Sequence, residues 1–579
     1  MSAVKKKVRI GDLLIQNNII SEAQLHDALE KQKQNGLKLG RTLIEMGYID
    51  EMRFLEFLSQ QLNIPFVDLK VHNFDVGLIQ RLPEVYARRF RAIILSENEK
   101  GVSVGLVDPL DIYAYDELLR ILQSNIEIAI VREKDLLSTL DLVYRRTEEI
   151  ASYAEELDEE ITEGQFDLEE LTPSDEEEGA TVVKLLKSIF EDAVQVRASD
   201  IHIEPDESVL RIRQRVDGVL HEQIVKEKRI SAPLVLRLKL MAGLNISERR
   251  LPQDGRFSLI VKNRKLDIRV STMPIENGES VVLRLLDQSA GATHLGEVGM
   301  PEKMLETFRR LIHLPHGLIL VTGPTGSGKT TTLYGALQEL NEAGKKIITV
   351  EDPVEYKLSR INQVQINPKI DLSFARVLRA ALRQDPDIIL IGEVRDGETA
   401  EIALRAAMTG HLVLSTLHTN DSLSSAMRLV DMGAEGFLTA SSLRAVLAQR
   451  LVRRLCENCA EDHEPSSIEK AWLEEKLKDQ GIELNLKKAR GCHHCNNSGY
   501  RGRIGVFELL VMNEVLNDAL RKEDSYEFVR QARQSEGYEP IAVAAVKYAA
   551  QGITSLSEVF RVAEHIDESP DFQKIAVNR

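Results

Sequence analysis

No run of eighteen apolar residues occurs in the 579-residue chain, so the sequence offers no transmembrane helix. Its first residues, MSAVKKKVRIGDLL, lack the long apolar stretch and small-residue cleavage site of a signal peptide. These two absences place the protein in the cytoplasm. Cysteine is scarce, with four residues in all. Basic charge is missing altogether from residues 148–178, which carry fifteen Asp and Glu and no Lys or Arg, so that the formal net charge of −17 leaves only −2 for the rest of the chain. An acidic total argues against nucleic acid as the main ligand. The acidic segment has few large apolar residues and repels itself, the composition of a solvated hinge, with an ordered acidic helix as the alternative. The remaining composition, 43% apolar and 28% charged, is that of ordinary globular protein, and the length implies three to five domains.

Residues 9–61 hold an internal repeat at an offset of 29: Gly11 and Gly40, Leu14 and Leu43, Ile15 and Ile44, Ile20 and Ile49, Leu29 and Leu58, Gln32 and Gln61. Each copy reads as a short helix, a turn (Asn17-Asn18, then Met46-Gly47) and a longer helix entered at Ser21 or Asp50. Ser21 and Gln24 have capping-box spacing. Such a repeat can simply build a core. Its polar ends, however, pair Arg9 with Gln32 and Lys38 with Gln61, and a cation with an amide suits a guanine edge and a phosphate.

The two copies, RIGxxLIxxNII…Gln32 and KLGxxLIxxGYI…Gln61, resemble the tandem 24-residue motif of the cyclic di-GMP-binding N-terminal domain of the MshE-type pilus ATPases. That resemblance implies ligand contacts from Arg9, Ile10, Gly11, Leu25, Leu29 and Gln32 in the first copy. It implies Lys38, Leu39, Gly40, Phe54, Leu58 and Gln61 in the second. Lys38 stands where the pattern has Arg, and Asn18 where it has Gly. Residues 63–146 read as a small α/β continuation in which Asp108, before Pro109, either faces the same ligand or forms a turn.

From Thr181 an amphipathic helix and then strand alternation through VLRIRQRVDGVL indicate an α+β domain, basic where the preceding segment is acidic. Arg211, Arg213 and Arg215 alternate on one strand, with Arg229, Arg249, Arg250 and Arg256 beyond. They form either a solvated face or a set that reaches a nucleotide across a domain or subunit boundary.

HGLILVTG runs as a buried strand into GPTGSGKT (Gly323, Pro324, Thr325, Gly326, Ser327, Gly328, Lys329, Thr330) and then Thr331 on a helix, the context a phosphate-binding loop requires. Glycines let backbone N–H groups wrap phosphates, Lys329 offsets charge on the β and γ groups, and the Thr330 hydroxyl is a Mg²⁺ ligand. DPDIILIGEVRD places Glu393 after a second buried strand, to position Mg²⁺ or the attacking water, although Gly392 stands where many ATPases keep Asp. IITVEDPVEY supplies Glu351, Asp352 and Glu355. HLVLSTLHTND is flanked by His411 and His418, which serve a γ-phosphate if they sit at the nucleotide and are ordinary histidines otherwise. Four such strands with intervening helices predict a RecA-like parallel sheet whose ligands gather at the strand C-termini.

Taken with ASDIHIEP and RLPQDGR upstream, this order closely resembles the secretion ATPase superfamily of type II secretion and type IV pili. Membership implies a homo-hexamer in which Arg213, Arg215 or Arg229 completes a neighbour's site, with Glu393, Glu355, Lys329, His411 and His418 as catalytic candidates. It also implies an inner-membrane platform protein as partner, reached from the cytoplasm. Cys456-x-x-Cys459 and Cys492-x-x-Cys495 fit a tetrahedral zinc site far better than disulfides; in the family such an element marks assembly motors. The expected layout is a multidomain α/β chain. It comprises an N-terminal cyclic di-GMP-type domain at 1–147 with motifs at 9–32 and 38–61, an acidic linker at 148–179 and a PAS-like α+β domain at 180–295. A RecA-like P-loop core at 296–455, a Cys₄ zinc insertion at 456–500 and a C-terminal helical region at 501–579 follow. The leading function is an ATP-hydrolysing motor for type IV pilus extension regulated by cyclic di-GMP. A type II secretion motor, a nucleic-acid translocase, and an N-terminus that only docks a membrane partner are the alternatives.

Overall fold

The computed structural model describes residues 10–563 apart from 18, 36–38, 70, 71, 73, 99, 100, 110, 145, 164–179, 288–293, 478–481 and 497. The chain forms two compact units, residues 1–145 with 492–496, and residues 146–491 with 497–579.

The repeat in the first unit is physical. Helices α1 (Ile10–Gln16), α2 (Glu22–Asn35), α3 (Leu39–Glu45) and α4 (Glu51–Leu62) alternate short and long. Ile19 N donates to Leu14 O at 2.9 Å, and its counterpart Tyr48 N to Leu43 O at 3.0 Å. Leu14 and Leu43 are both fully buried, with Ile20 and Ile49 beside them. Gln24 N donates to Ser21 Oγ at 3.2 Å while Ser21 N donates back to Gln24 Oε1 at 2.9 Å, completing the capping box. Gly11 and Gly40 let each short helix lie against its long partner: a Cβ on Gly11 would stand 2.7 Å from a Leu25 methyl, and one on Gly40 would enter the Phe54 ring. These two glycines, expected as ligand contacts, therefore have a packing role that accounts for them. Leu58 is 6% exposed in a cluster with Leu55 and Ile130, whereas its repeat partner Leu29 is 40% exposed. Arg9 and Lys38 lie outside the described residues. Beyond the repeat, β1 (Ala92–Asn98) pairs antiparallel with β2 (Gly101–Leu106), and β2 pairs parallel with β3 (Ile126–Ile130) through the helix Ile112–Leu122. Asp108 O accepts from Asp111 N in the turn that starts this helix.

In the second unit the acidic segment departs from expectation. Residues Thr147–Glu163 form a helix, not a solvated linker. Ile150, Ala154 and Leu157, spaced four and three apart, are fully buried and share a core with Leu185 and Ile189 of the helix Thr181–Gln195. Composition concealed this stripe because the acidic residues occupy every other face. The rest of that linker, 164–179, lies outside the described residues. Six strands follow: β4 (Asp200–Pro205), β5 (Leu210–Val216), β6 (Val219–Val225), β7 (Gln253–Val261), β8 (Arg264–Ile275) and β9 (Gly278–Asp287). They form one antiparallel sheet in the order β6-β5-β4-β9-β8-β7.

The larger sheet uses β10 (Gly317–Thr322), β11 (Ile347–Glu351), β12 (Asn362–Gln365), β13 (Ile388–Ile391), β14 (Leu412–Leu417) and β15 (Leu443–Leu455). Two short antiparallel strands, β16 (Glu461–Asp462) and β17 (Lys487–Lys488), come next on either side of the helix Ser467–Leu477, and β18 (Tyr500–Val511) returns to the sheet edge. The order is β12-β11-β13-β14-β10-β15-β18, parallel throughout except for β18. Leu318 and Leu320 face one helical layer, Ile319 and Val321 the other, which is why these strands read as unbroken apolar runs. Seven strands thus replace the four expected. Residues 501–511, expected in a helical tail, belong to the sheet, and helices resume at Glu514.

Because Leu157 is fully buried, Leu157→Ala is expected to destabilise the second unit by about 2–5 kcal/mol in chemical denaturation. A change within about 0.5 kcal/mol, the usual value for a solvated site, would restore the linker reading.

Candidate nucleotide site and cysteine cluster

Parallel register brings four strand ends to one edge. Thr322 on β10 stands opposite Leu417 on β14 and Ala448 on β15, and Ile391 on β13 opposite Val350 on β11 and Ser415 on β14. The loop 323–328 leaves β10 there and enters the helix Lys329–Leu340. Gly323 and Gly328 have φ of +146° and +88°, and a Cβ on either would strike Gln449 on β15. Buried Gln449 also accepts from Thr332 Oγ1 at 2.7 Å, fastening the helix's first turn to the neighbouring strand. Lys329 Nζ donates to Gly323 O at 2.7 Å and Pro324 O at 3.1 Å. Burial, and then the charge of Arg450, pull its amine down to about 8.

Residues 325–331 line a cavity of about 620 Å³ together with Glu355, Glu393 and His418. The side chain of Glu393 is 14% exposed; it receives His418 Nε2 at 3.0 Å and an ion pair from Arg395, which also approaches Asp352 at 3.7 Å. Burial, followed by the charges of Lys329 and Arg395, lowers the His418 pKa. A carboxylate can only accept, so Nε2 carries the proton that points at Glu393. At Gly392 a Cβ would lie 3.2 Å from Val350 O and 3.3 Å from Glu351 Cα, so the aspartate found there in many ATPases would need the β11 backbone to give by a few tenths of an ångström. Glu351 is buried and accepts from Tyr334 and Thr349, while Glu355 pairs with Arg269 of β8 at 2.9 Å.

The expected residues divide. Thr325, Gly326, Ser327, Gly328, Lys329, Thr330, Thr331, Glu355, Glu393 and His418 share the cavity, and Gly323 and Pro324 shape its loop. His411 is a correction. It precedes β14 at the opposite edge, where Gly317 N donates to its carbonyl, and its Nδ1 lies 3.0 Å from Ala406 O at the end of the helix Gly397–Met408. Six strand residues, about 20 Å, separate the two edges. Arg213 is paired with Glu204 at 2.6 Å, Arg215 donates to Gly218 O at 3.0 Å, and Arg229 to Thr162 Oγ1 at 2.8 Å. None of the three lines the cavity of its own chain. The arginines that do are Arg284, Arg395 and Arg503, which sequence reasoning missed. Arg503 stands near the start of β18, and Arg284 is the one arginine of β9. Gln449, also missed, carries no motif.

The four cysteine sulfurs lie within 4.8 Å of one another, Cys492 Sγ and Cys495 Sγ 3.7 Å apart. Thiolates on one zinc at about 2.3 Å in a tetrahedron stand roughly 3.8 Å from each other, so the donor set fits that ion.

Strand, phosphate-type loop, half-buried lysine and strand-end carboxylate together define a P-loop ATPase. Residues 175–561 match the family model described as Type II/IV secretion system protein, and residues 62–150 match that of the MshEN domain, which begins after the tandem repeat. The Type II secretion system ATPase E of Vibrio cholerae is 44% identical over 502 residues, 84% of this chain and 97% of the relative. The Type IV pilus assembly ATPase PilB of Myxococcus xanthus is 39% identical over 562 residues, 95% of this chain and 98% of the relative. A solved structure of MshE with cdg is 40% identical, covers 24% of this chain and 100% of that one, and has a TM-score of 0.23. The chain belongs to the Type II/IV secretion system family and is an ATPase.

With the Lys329 amine near 8 before nucleotide binds, an arriving polyphosphate favours its charged form. Binding of ADP at pH 8.5 is therefore expected to take up a fraction of a proton, visible in calorimetry as heat that varies with buffer ionisation enthalpy. At about pH 7 the amine is already largely charged, so its share of the proton uptake should be several-fold smaller. Equal heats at both pH values would contradict the shift.

Proposed function

We propose that the chain is the hexameric motor of type IV pilus extension and that its N-terminal unit responds to cyclic di-GMP. The observation that carries the motor reading is the end-to-end correspondence with a pilus assembly ATPase, 95% of this chain against 98% of the relative. The 44% identity to a type II secretion ATPase favours a second reading, a secretion motor of the same mechanism. Both act at the inner membrane through a platform protein. No described helix is long and apolar enough to cross a membrane.

In this reading Lys329 and the loop N–H groups hold the β and γ phosphates, and Thr330 and Glu393 hold Mg²⁺. When bound, that ion supplies charge neutralisation on the transferred phosphoryl oxygens. Glu393 or Glu355 orients water, and the neutral His418 imidazole meets the γ-phosphate. Arg213, Arg215 and Arg229, on the upstream domain, reach a neighbouring subunit's site, while Arg284 and Arg503 act within the chain. Turnover by the full-length protein is expected to rise on adding the pilus platform protein's cytoplasmic domain. Stimulation by DNA with no response to platform protein would overturn the motor reading.

The MshEN match and the tandem helical hairpins support cyclic di-GMP as the regulatory ligand, with Arg9, Leu25, Leu29, Gln32, Lys38, Leu39, Phe54 and Gln61 as its contacts. Titration of the full chain should show micromolar binding that Arg9→Ala weakens about tenfold, the loss of one bidentate arginine contact. No heat at tens of micromolar ligand would remove the switch.

Cys456, Cys459, Cys492 and Cys495 are proposed to hold one structural Zn²⁺ in a closed shell with no open position for chemistry. Metal analysis should find one zinc per chain, lost in Cys456→Ser. A metal content unchanged by that substitution would place zinc elsewhere.

A further inference from the structure

Glu508 lies on β18, outside the nucleotide cavity, and is 2% exposed. Its carboxylate accepts from Ser422 N at 2.9 Å, from Ser422 Oγ, from Ile541 N at 2.9 Å and from Tyr538 OH at 3.2 Å. A buried carboxylate persists only where its lone pairs are met, and here the donors come from segments far apart in sequence. Ser422 opens the helix Ser422–Asp431 and Ile541 opens the helix Ile541–Ala550, whose cap residue, Pro540, offers no side-chain hydrogen bond. One carboxylate therefore serves two helix N-termini, where unpaired N–H groups and the positive end of the dipole favour its charged form against the burial that raises its pKa.

Ser422 also ends the short segment that His418 begins. Glu508 stands opposite Ala448 on β15. Two residues on, Arg450 donates to Asn420 O at 2.7 Å and Asn420 Oδ1 at 3.2 Å. The segment 418–422 is thus fixed twice, by a guanidinium at Asn420 and by a carboxylate at Ser422, while its first residue presents the imidazole to Glu393 at 3.0 Å.

We infer that Glu508 is a positioning residue for ATP hydrolysis: by holding Ser422 it keeps the His418 imidazole on Glu393, and through Ile541 it ties that placement to the C-terminal helices. This rests on the proposed reading of His418 as the group that meets the γ-phosphate and of Glu393 as the carboxylate that holds Mg²⁺ or orients water.

The test uses the full-length chain with Glu508→Gln, His418→Ala and the double variant, measuring ATP turnover and ADP affinity. Glutamine keeps the size but removes the charge and turns an amide toward donors. It is expected to lower kcat about tenfold while KM and ADP affinity change less than about threefold. The double variant should be no slower than His418→Ala alone, because both changes act through one group. Losses that multiply, or a kcat unchanged in Glu508→Gln, would overturn the inference. Full turnover in His418→Ala would instead overturn the reading of the site. Should Glu508→Gln fold poorly, Tyr538→Phe removes one donor and leaves the carboxylate; a kcat loss that disappears in the His418→Ala background supports the inference, and an unaltered kcat refutes it.

Discussion

The in-register parallel pairing of β11, β13, β14, β10 and β15 is the constraint on which the site depends. Because Thr322 aligns with Leu417 and Ala448, the loop that follows β10, the histidine that follows β14 and the glutamine and arginine that follow Ala448 all emerge at the same edge. A slip of one residue would reverse every side chain between the two helical layers, so burial on both faces fixes the register and the register fixes the chemistry. The same closeness favours Gly392, where a side chain would crowd the backbone of β11.

This edge concentrates buried polar groups, which are expensive unless paired. Lys329 is held by two carbonyl oxygens, Arg450 by Asn420, Glu351 by Tyr334 and Thr349, and Glu508 by two helix N-termini. Each arrangement sets donors and acceptors before any ligand arrives, the condition under which electrostatic stabilisation costs no reorganisation. The lowered Lys329 amine follows from the same burial.

The N-terminal repeat shows how far equal sequence gives unequal surroundings. Its turn hydrogen bonds, buried leucines and helix-contact glycines recur at the same offset, yet Leu29 is half-exposed while Leu58 is closed against Ile130. Periodicity conveys the internal packing of each copy. It says nothing of what a third element covers.

The sequence by itself determined what short-range chemistry determines: the strand, loop and helix around Lys329, the capped helical repeat, the paired cysteines, and the apolar runs that can only be strands buried on both faces. Tertiary structure alone decided which ends of those strands meet. His411 and His418 flank one strand identically in sequence, and only the sheet's direction sends one to the cavity and the other about 20 Å away. The acidic helix stood only as the alternative to a hinge because charge density outweighs three buried residues in any composition, though those three lie on one stripe against Thr181–Gln195. Gln449 and Glu508 went unnoticed because their partners, Thr332, Ser422 and Ile541, are 33 to 117 residues distant. Contacts of that span are set by the closing of the sheet, which no local pattern encodes.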